Sequence, residues 1–323
     1  MKLGVFNYWG GDKNKSWENA CNAAKAAGLK AIETGCGGLM GKAHCNPAEL
    51  LKDKNEVKKF AETAERNGLE ISALSAYGNP LHPDKKIADE HREDLEAAIK
   101  LAQIIGVKVI NVFAGCPGAG PGAKYPNWIT CPWPTYFEEG VKWQWKEKAL
   151  PFWKEMSKKA KKAGVKFGFE MHPGDMIYNT ETFLKLREDI GAEEISCNFD
   201  PSHLFWQGMD PIVCIKKIRD AIVHVHAKDI KINRSVAELN GLNDWKNHDD
   251  IANRAWNFRI VGSGHGAEFW NDFISTFRLI GYDGVISIEN EDPFMAGDEG
   301  LKKSIDFLNQ FLLYKEVVDV WRG

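Results

Sequence analysis

The sequence lacks most of the features that would tie it to a membrane, a nucleic acid or an oxidising compartment. No apolar run approaches the roughly 18 residues of a membrane-spanning helix. No basic patch stands out, and the formal charge of −3 argues against a nucleic-acid partner. The seven cysteines are scattered and form no Cys-x-x-Cys pair; that irregular, odd-numbered set reads as reduced cytosolic thiols and not as a disulfide framework. The opening Met1-Lys2-Leu3-Gly4-Val5-Phe6 breaks too soon for a signal peptide, so a cytoplasmic location is expected. No Gly-x-Gly-x-x-Gly follows the first expected strand, which disfavours an open dinucleotide-binding sheet.

What is present suits a packed α/β chain. Hydrophobic residues make up 44% and charged residues 27%, enough for a sizeable core. Short apolar runs at Lys2–Phe6, Ala31–Glu33, Ile71–Ser75, Val107–Phe113, Val165–Glu170, Ile195–Phe199, Ile222–His226 and Val285–Ile288 read as strands. Helical stretches separate them, several stopped by a glycine such as Gly28, Gly68, Gly106, Gly164 or Gly281. One helical region is expected from the Asn46-Pro47-Ala48-Glu49 start to Asn67-Gly68. With right-handed crossovers, eight strand–helix units close most simply into a (β/α)8 barrel, here one domain spanning residues 1–323. Two connections, about 115–140 and 231–266, are too long for plain loops and read as aromatic-rich lids on the catalytic face.

Four strands stop at an acid or an imidazole: Glu170, Asp200, His226 and Glu289. Barrels keep their chemistry at that carboxyl edge. Three carboxylates and one imidazole suit a divalent cation, and the oxygen-rich set favours Mn²⁺ or Mg²⁺, with Co²⁺ or Zn²⁺ also accommodated. His224 competes with His226, because residues two apart in a strand face the same way; His226 is preferred as nearer the strand's end. His172 and His203 follow two of the ligands closely. Either could take a proton next to a metal-polarised carbonyl, or could merely orient a carboxylate. His82, Lys228 and Arg259 are candidate substrate contacts, with Glu33 and His44 in similar loop positions, although each is also compatible with a solvated loop. Glu291 could substitute for Glu289, and His91 reads as a helix-surface residue. Among the twelve tryptophans, Trp128 and Trp133 sit between prolines in the first lid and suit a flat ligand or an interface better than the core.

The strand-end residues resemble those of the xylose-isomerase-like sugar-phosphate isomerase/epimerase superfamily. That resemblance implies Glu170, Asp200, His226 and Glu289 as metal ligands and, by similarity to ketose 3-epimerases, Glu170 and Glu289 as proton carriers. His203, in Asp200-Pro201-Ser202-His203, matches a histidine that touches substrate there. Tyr125–Pro134, Glu170–Gly174, Asp200–Gln207 and Ser287–Asp292 look more closely like the α subunit of bacterial C-glycoside deglycosidases. This closer resemblance implies cleavage of the C–C bond between a 3-oxo sugar and a polyphenol, a small β subunit within a homo- or hetero-oligomer, and His172 as the base. Isomerisation or epimerisation of a ketose, dehydration of an inosose, and a non-catalytic sugar-binding barrel are the competing expectations.

Overall fold

The computed structural model describes residues 1–7 and 16–315. The strands are β1 (Lys2–Asn7), β2 (Ala31–Gly38), β3 (Glu70–Tyr77), β4 (Val109–Val112), β5 (Lys166–Glu170), β6 (Ile195–Phe199), β7 (Ile222–Ala227), β8 (Asp229–Ile232), β9 (Trp256–Arg259) and β10 (Val285–Ile288). Strands β1 to β7 and β10 form a closed barrel in the order β1-β10-β7-β6-β5-β4-β3-β2. Every pair is parallel, and Lys2 opposite Val285 joins the two ends of the chain. The helices are α1 (Trp17–Ala26), α2 (Pro47–Leu50), α3 (Lys54–Arg66), α4 (Lys85–Ile105), α5 (Tyr136–Trp143), α6 (Leu150–Ala163), α7 (Thr180–Ile190), α8 (Ser202–Phe205), α9 (Pro211–Ile218), α10 (Arg234–Asn240), α11 (Ala267–Leu279) and α12 (Gly297–Leu308). No helix among the described residues is long and apolar enough to cross a membrane.

Local chemistry accounts for most boundaries. Ser16 caps α1, and Asn179 with Thr182 forms a reciprocal capping box on α7. Gly106, Gly164 and Gly191 end their helices in the left-handed region, where a Cβ is strained. The helical region expected from Asn46 to Gly68 is in fact two helices, because Asp53 starts a second one by accepting from the Asn55 N–H. Residues 35–38 lie beyond the strand expected at Ala31–Glu33, yet they continue β2. A Cβ on Gly38, at φ +65°, would lie 2.1 Å from the Tyr77 carbonyl oxygen, so glycine lets this strand run close beside β3.

The core lies between barrel and helices. Trp153 of α6 and Trp270 of α11 are fully buried there, which absorbs two of the tryptophans into packing. Inside the barrel the filling is polar: Glu33, Ser75, Asn111, Asn198, His224 and Ser287 are all buried. Aliphatic layers usually occupy that space.

Both long connections carry more structure than expected. Residues 231–266 hold an antiparallel ribbon, β8 against β9, with α10 between its strands. Asp229 ties the ribbon's return down by accepting from the backbone N–H groups of Gly262, Gly264 and His265. The first lid ends in α5, and the buried Gln144 Nε2 donates to the carbonyls of Pro117, Gly118 and Asn127, pinning the lid to the barrel rim.

Candidate active site

Glu170 ends β5, Asp200 follows β6, His226 is one residue from the end of β7, and Glu289 follows β10. Parallel strands all expose the same edge, so these four positions converge although 119 residues separate the first from the last. One ligand atom from each lies within 4.8 Å of the others.

Asp200 and Glu289 each have one oxygen engaged in a hydrogen bond and one without. Ser202 N–H donates to Asp200 Oδ1 at 2.7 Å, while Asp200 Oδ2 has no hydrogen bond and lies 3.3 Å from His203 Nε2. Lys228 Nζ donates to Glu289 Oε1 at 2.8 Å, and Glu289 Oε2 is likewise buried without a hydrogen bond, 2.9 Å from His226 Nδ1. Glu170 Oε2 accepts from Tyr77 Oη at 2.6 Å and Asn198 Nδ2 at 3.1 Å, while Oε1 lies 3.2 Å from His203 Nε2. Buried polar atoms are normally satisfied. Two orphaned carboxylate oxygens converging with an imidazole nitrogen are the chemistry of a cation site, so the residues present fit a divalent metal.

The charges are strongly perturbed. Burial alone would raise Glu170, but His203 and His226 outweigh it and hold the carboxyl well below its usual range. Burial pushes Asp200 up to about 6 against the pull of His203 and Lys228. Burial would lower His226, yet the facing Glu33 and Glu289 carboxylates hold it protonated well above its ordinary value. A cation bound by this cluster through His226 would therefore displace a proton from it. Metal affinity is expected to rise about tenfold per pH unit while His226 is protonated and to level off above that pKa. Titration calorimetry in two buffers of different ionisation enthalpy should show release of about one proton; no release would contradict this.

Glu170 and Glu289 of the cluster line a cavity of about 570 Å³, while Asp200 and His226 are fully buried beside them. Its walls include Trp128 from the first lid, Trp206, and Trp245, Trp256 and Phe258 from the ribbon segment. His172 and His203 line the cavity with ring centroids 4.2 Å apart. Burial and His203 draw the His172 imidazole below its ordinary value, so it is neutral near pH 7. Its Nδ1 is unpartnered, 3.8 Å from the Asp175 carboxylate, which burial raises to about 7. Lys228 is buried between Glu289 and Glu291, 4.3 Å over the Phe258 ring.

The fold thus gathers Glu170, His172, Asp200, His203, His226, Lys228, Glu289 and Trp128 in one place. Others fall elsewhere. His82 spends Nδ1 accepting from the Asp84 N–H at the start of α4 and is not part of the cavity wall. Arg259 is not part of that wall either, being paired with Asp292 at 2.9 Å with its guanidinium over the Phe294 ring. Both lie near a strand end, as expected, but each is engaged by a local partner. Trp133 is exposed, and His44 is not in the wall. His224 lies deeper, between Asn198 Oδ1 and Ser72 Oγ. His91 is half-buried and accepts from the Asn79 N–H, so it is not a plain surface residue. Tyr77 and Asn198 were missed, because nothing in a strand's own sequence reveals what faces it across a barrel. Glu33 is expected at the end of its strand, beside a loop; with β2 extended to Gly38, it lies within the strand, buried inside the barrel, and meets His226.

A closed parallel barrel with acids and an imidazole at its carboxyl edge is the architecture of an α/β-barrel enzyme. The family model for the xylose isomerase-like TIM barrel matches residues 21–311, and the chain belongs to that family. It is 37% identical to the YfiH protein of Bacillus subtilis over 91% of this chain and 94% of that one. It is 25% identical to an inosose dehydratase of Clostridium perfringens over 88% and 86%. A crystal structure of 3-keto-D-glucoside 4-epimerase from E. coli superposes with a TM-score of 0.65 at 13% identity, covering 96% of this chain and 99% of that one.

Proposed function

We propose that this chain catalyses the divalent-metal-dependent enolisation of a keto-sugar, and that it uses the enolate to break the C–C glycosidic bond of a 3-oxo-C-glucoside. One observation carries the reading: buried carboxylate oxygens without hydrogen bonds converge with His226, in a cluster whose Glu170 and Glu289 line a cavity walled by aromatic rings. Mn²⁺ suits the oxygen-rich set best. The similarity to an inosose dehydratase and to a 3-keto-glucoside epimerase supports a keto-sugar or keto-cyclitol substrate.

Glu170, Asp200, His226 and Glu289 would hold a divalent cation, which would supply the Lewis acidity that makes the C2 proton of a 3-keto sugar acidic. His172, neutral and lining the cavity, accepts that proton. Lys228 lines the cavity and has a third N–H beyond those given to Glu289 and Glu291, so its charge would stabilise an oxyanion developing there. As the C2–H electrons form the C1–C2 double bond, the bond from C1 to the arene breaks and the arene carbon takes up a proton. The products are a free aglycone and a 1,2-unsaturated 3-oxo sugar, with no net oxidation. The tryptophan walls hold the flat aglycone.

Dehydration of an inosose is the second reading, favoured by the C. perfringens relative; it needs the same enolisation with hydroxide as the leaving group. Assaying the Mn²⁺-loaded chain on a 3-oxo-C-glucoside, an inosose and free ketoses, with and without a candidate small β subunit, separates the readings. Aglycone release supports the first; water loss or ketose interconversion replaces it. A chain that binds no metal and turns over nothing would point to a sugar-binding barrel. Trp128→Ala is expected to raise KM about two- to tenfold for an aryl glycoside with little change in kcat, because stacking binds ground and transition states alike. Steady-state kinetics check this; a fall in kcat alone would remove Trp128 from aglycone binding.

A further inference from the structure

The buried Glu33 lies below the metal cluster and is not one of its four ligands. It sits inside the barrel on β2, and side chains from four other strands converge on it. Ser75 Oγ of β3 donates at 2.6 Å, Asn111 Nδ2 of β4 at 2.8 Å, and Ser287 Oγ of β10 at 2.8 Å. His226 Nε2 of β7 lies 2.9 Å from Oε2 and 3.1 Å from Oε1. Among the described residues, no lysine or arginine pairs with this carboxylate. Burying such a charge costs folding free energy unless hydrogen bonds compensate it fully, and here they do. Glutamine would fill the same volume without that cost, so the charge itself needs a reason.

We propose that Glu33 is a positioning residue of the metal centre, holding His226 as the Nε2–H tautomer so that Nδ1 presents its lone pair to the cation. This rests on the reading that the four-residue cluster binds a divalent metal. A carboxylate only accepts, so Nε2 carries the hydrogen. Nδ1 is then the nitrogen turned toward Glu289 Oε2 and Glu170 Oε2, at 2.9 and 3.4 Å. Asn198 Nδ2 also lies 3.3 Å from each His226 ring nitrogen, but its two N–H groups have nearer acceptors in Tyr77 Oη at 2.8 Å and Glu170 Oε2 at 3.1 Å. His224 cannot replace His226 in this role, because it is engaged by Asn198 Oδ1 and Ser72 Oγ. A hydrogen bond from a ligating histidine to a carboxylate orients the ring and raises its basicity toward the metal. Ser75, Asn111 and Ser287 hold Glu33 in turn, so the ring's direction is set by strands that contribute no ligand at those positions.

The test uses the full chain and Zn²⁺, which is diamagnetic. Zn²⁺ affinity is measured by competition with a chromophoric chelator, and long-range ¹H–¹⁵N correlation identifies the coordinated nitrogen. In the wild type, one histidine is expected to bind Zn²⁺ through Nδ1 with a slowly exchanging, strongly hydrogen-bonded Nε2 proton. Glu33→Gln should weaken Zn²⁺ binding about 10- to 100-fold and shift that proton upfield, with circular dichroism unchanged. Should Glu33→Gln fail to fold, Ser287→Ala, which removes one support of Glu33 and leaves His226 untouched, should show both changes in smaller degree. Unaltered affinity and an unaltered Nε2 proton in the variant, or coordination through Nε2 in the wild type, would overturn the proposal alone. A wild-type chain that binds no Zn²⁺ would overturn it together with the metal site.

Discussion

Asp200→Asn and Glu289→Gln are each expected to abolish metal binding at micromolar cation, and with it turnover, although both changes are nearly isosteric. The reason lies in what pins the other oxygen. The Ser202 N–H requires an acceptor at Asp200 Oδ1, and Lys228 Nζ requires one at Glu289 Oε1. In either variant the amide oxygen must stay with that donor. The amide NH₂ then occupies the place of Asp200 Oδ2 or Glu289 Oε2 and turns its hydrogens toward the cation. A ligand is thereby lost and a donor put in its place, so the effect should exceed the roughly 10- to 100-fold of an outer-shell change. Equilibrium dialysis with metal analysis checks it directly. Wild-type metal content in both variants would remove these two residues from the ligand set.

His172→Ala is expected to separate chemistry from binding. The ring lies outside the ligand set and stacks on His203 and Phe113, with Nδ1 3.8 Å from Asp175. Its loss should therefore leave metal affinity and fold intact while kcat falls about 10²- to 10⁴-fold, the usual weight of a general base. The Asp175 carboxylate is placed to receive the Nδ1 proton once the ring takes one from substrate, and apo sites commonly hold such bonds too long. Single-turnover kinetics on the metal-loaded variant read the step. Loss of metal together with rate would make His172 a structural prop of the cluster. An unchanged rate would pass the base to a ligand glutamate.

Several parts of this molecule were legible in the chain alone, and for a common reason: they depend on neighbours within a few residues. Apolar runs, the Ser16 and Asn179 caps and the glycine stops locate most elements. The strands at Ile195–Phe199 and Val285–Ile288 end where their sequences end them. The four ligand candidates were visible because each closes an apolar run. Misreadings arose where a local pattern met a distant partner. Residues 35–38 look like a loop until β3 lies beside them. Residues 231–266 look unstructured until Asp229 and Arg259 pair across a gap of 30 positions. Arg259 looks available to substrate until Asp292 claims it.

The sequence by itself determined a repeating strand–helix chain with acids and imidazoles at its strand ends, because periodicity and capping act over a single turn or strand. Tertiary structure alone decided which of those groups meet. Ser287 reaches Glu33 from 254 positions away, and Tyr77 reaches Glu170 from 93. Barrel closure and strand register set those meetings, and both arise from the summed packing of all eight strands. For the same reason only the closed barrel shows that His226 stands between Glu33 and the cluster, while His224, two residues earlier on the same strand, does not.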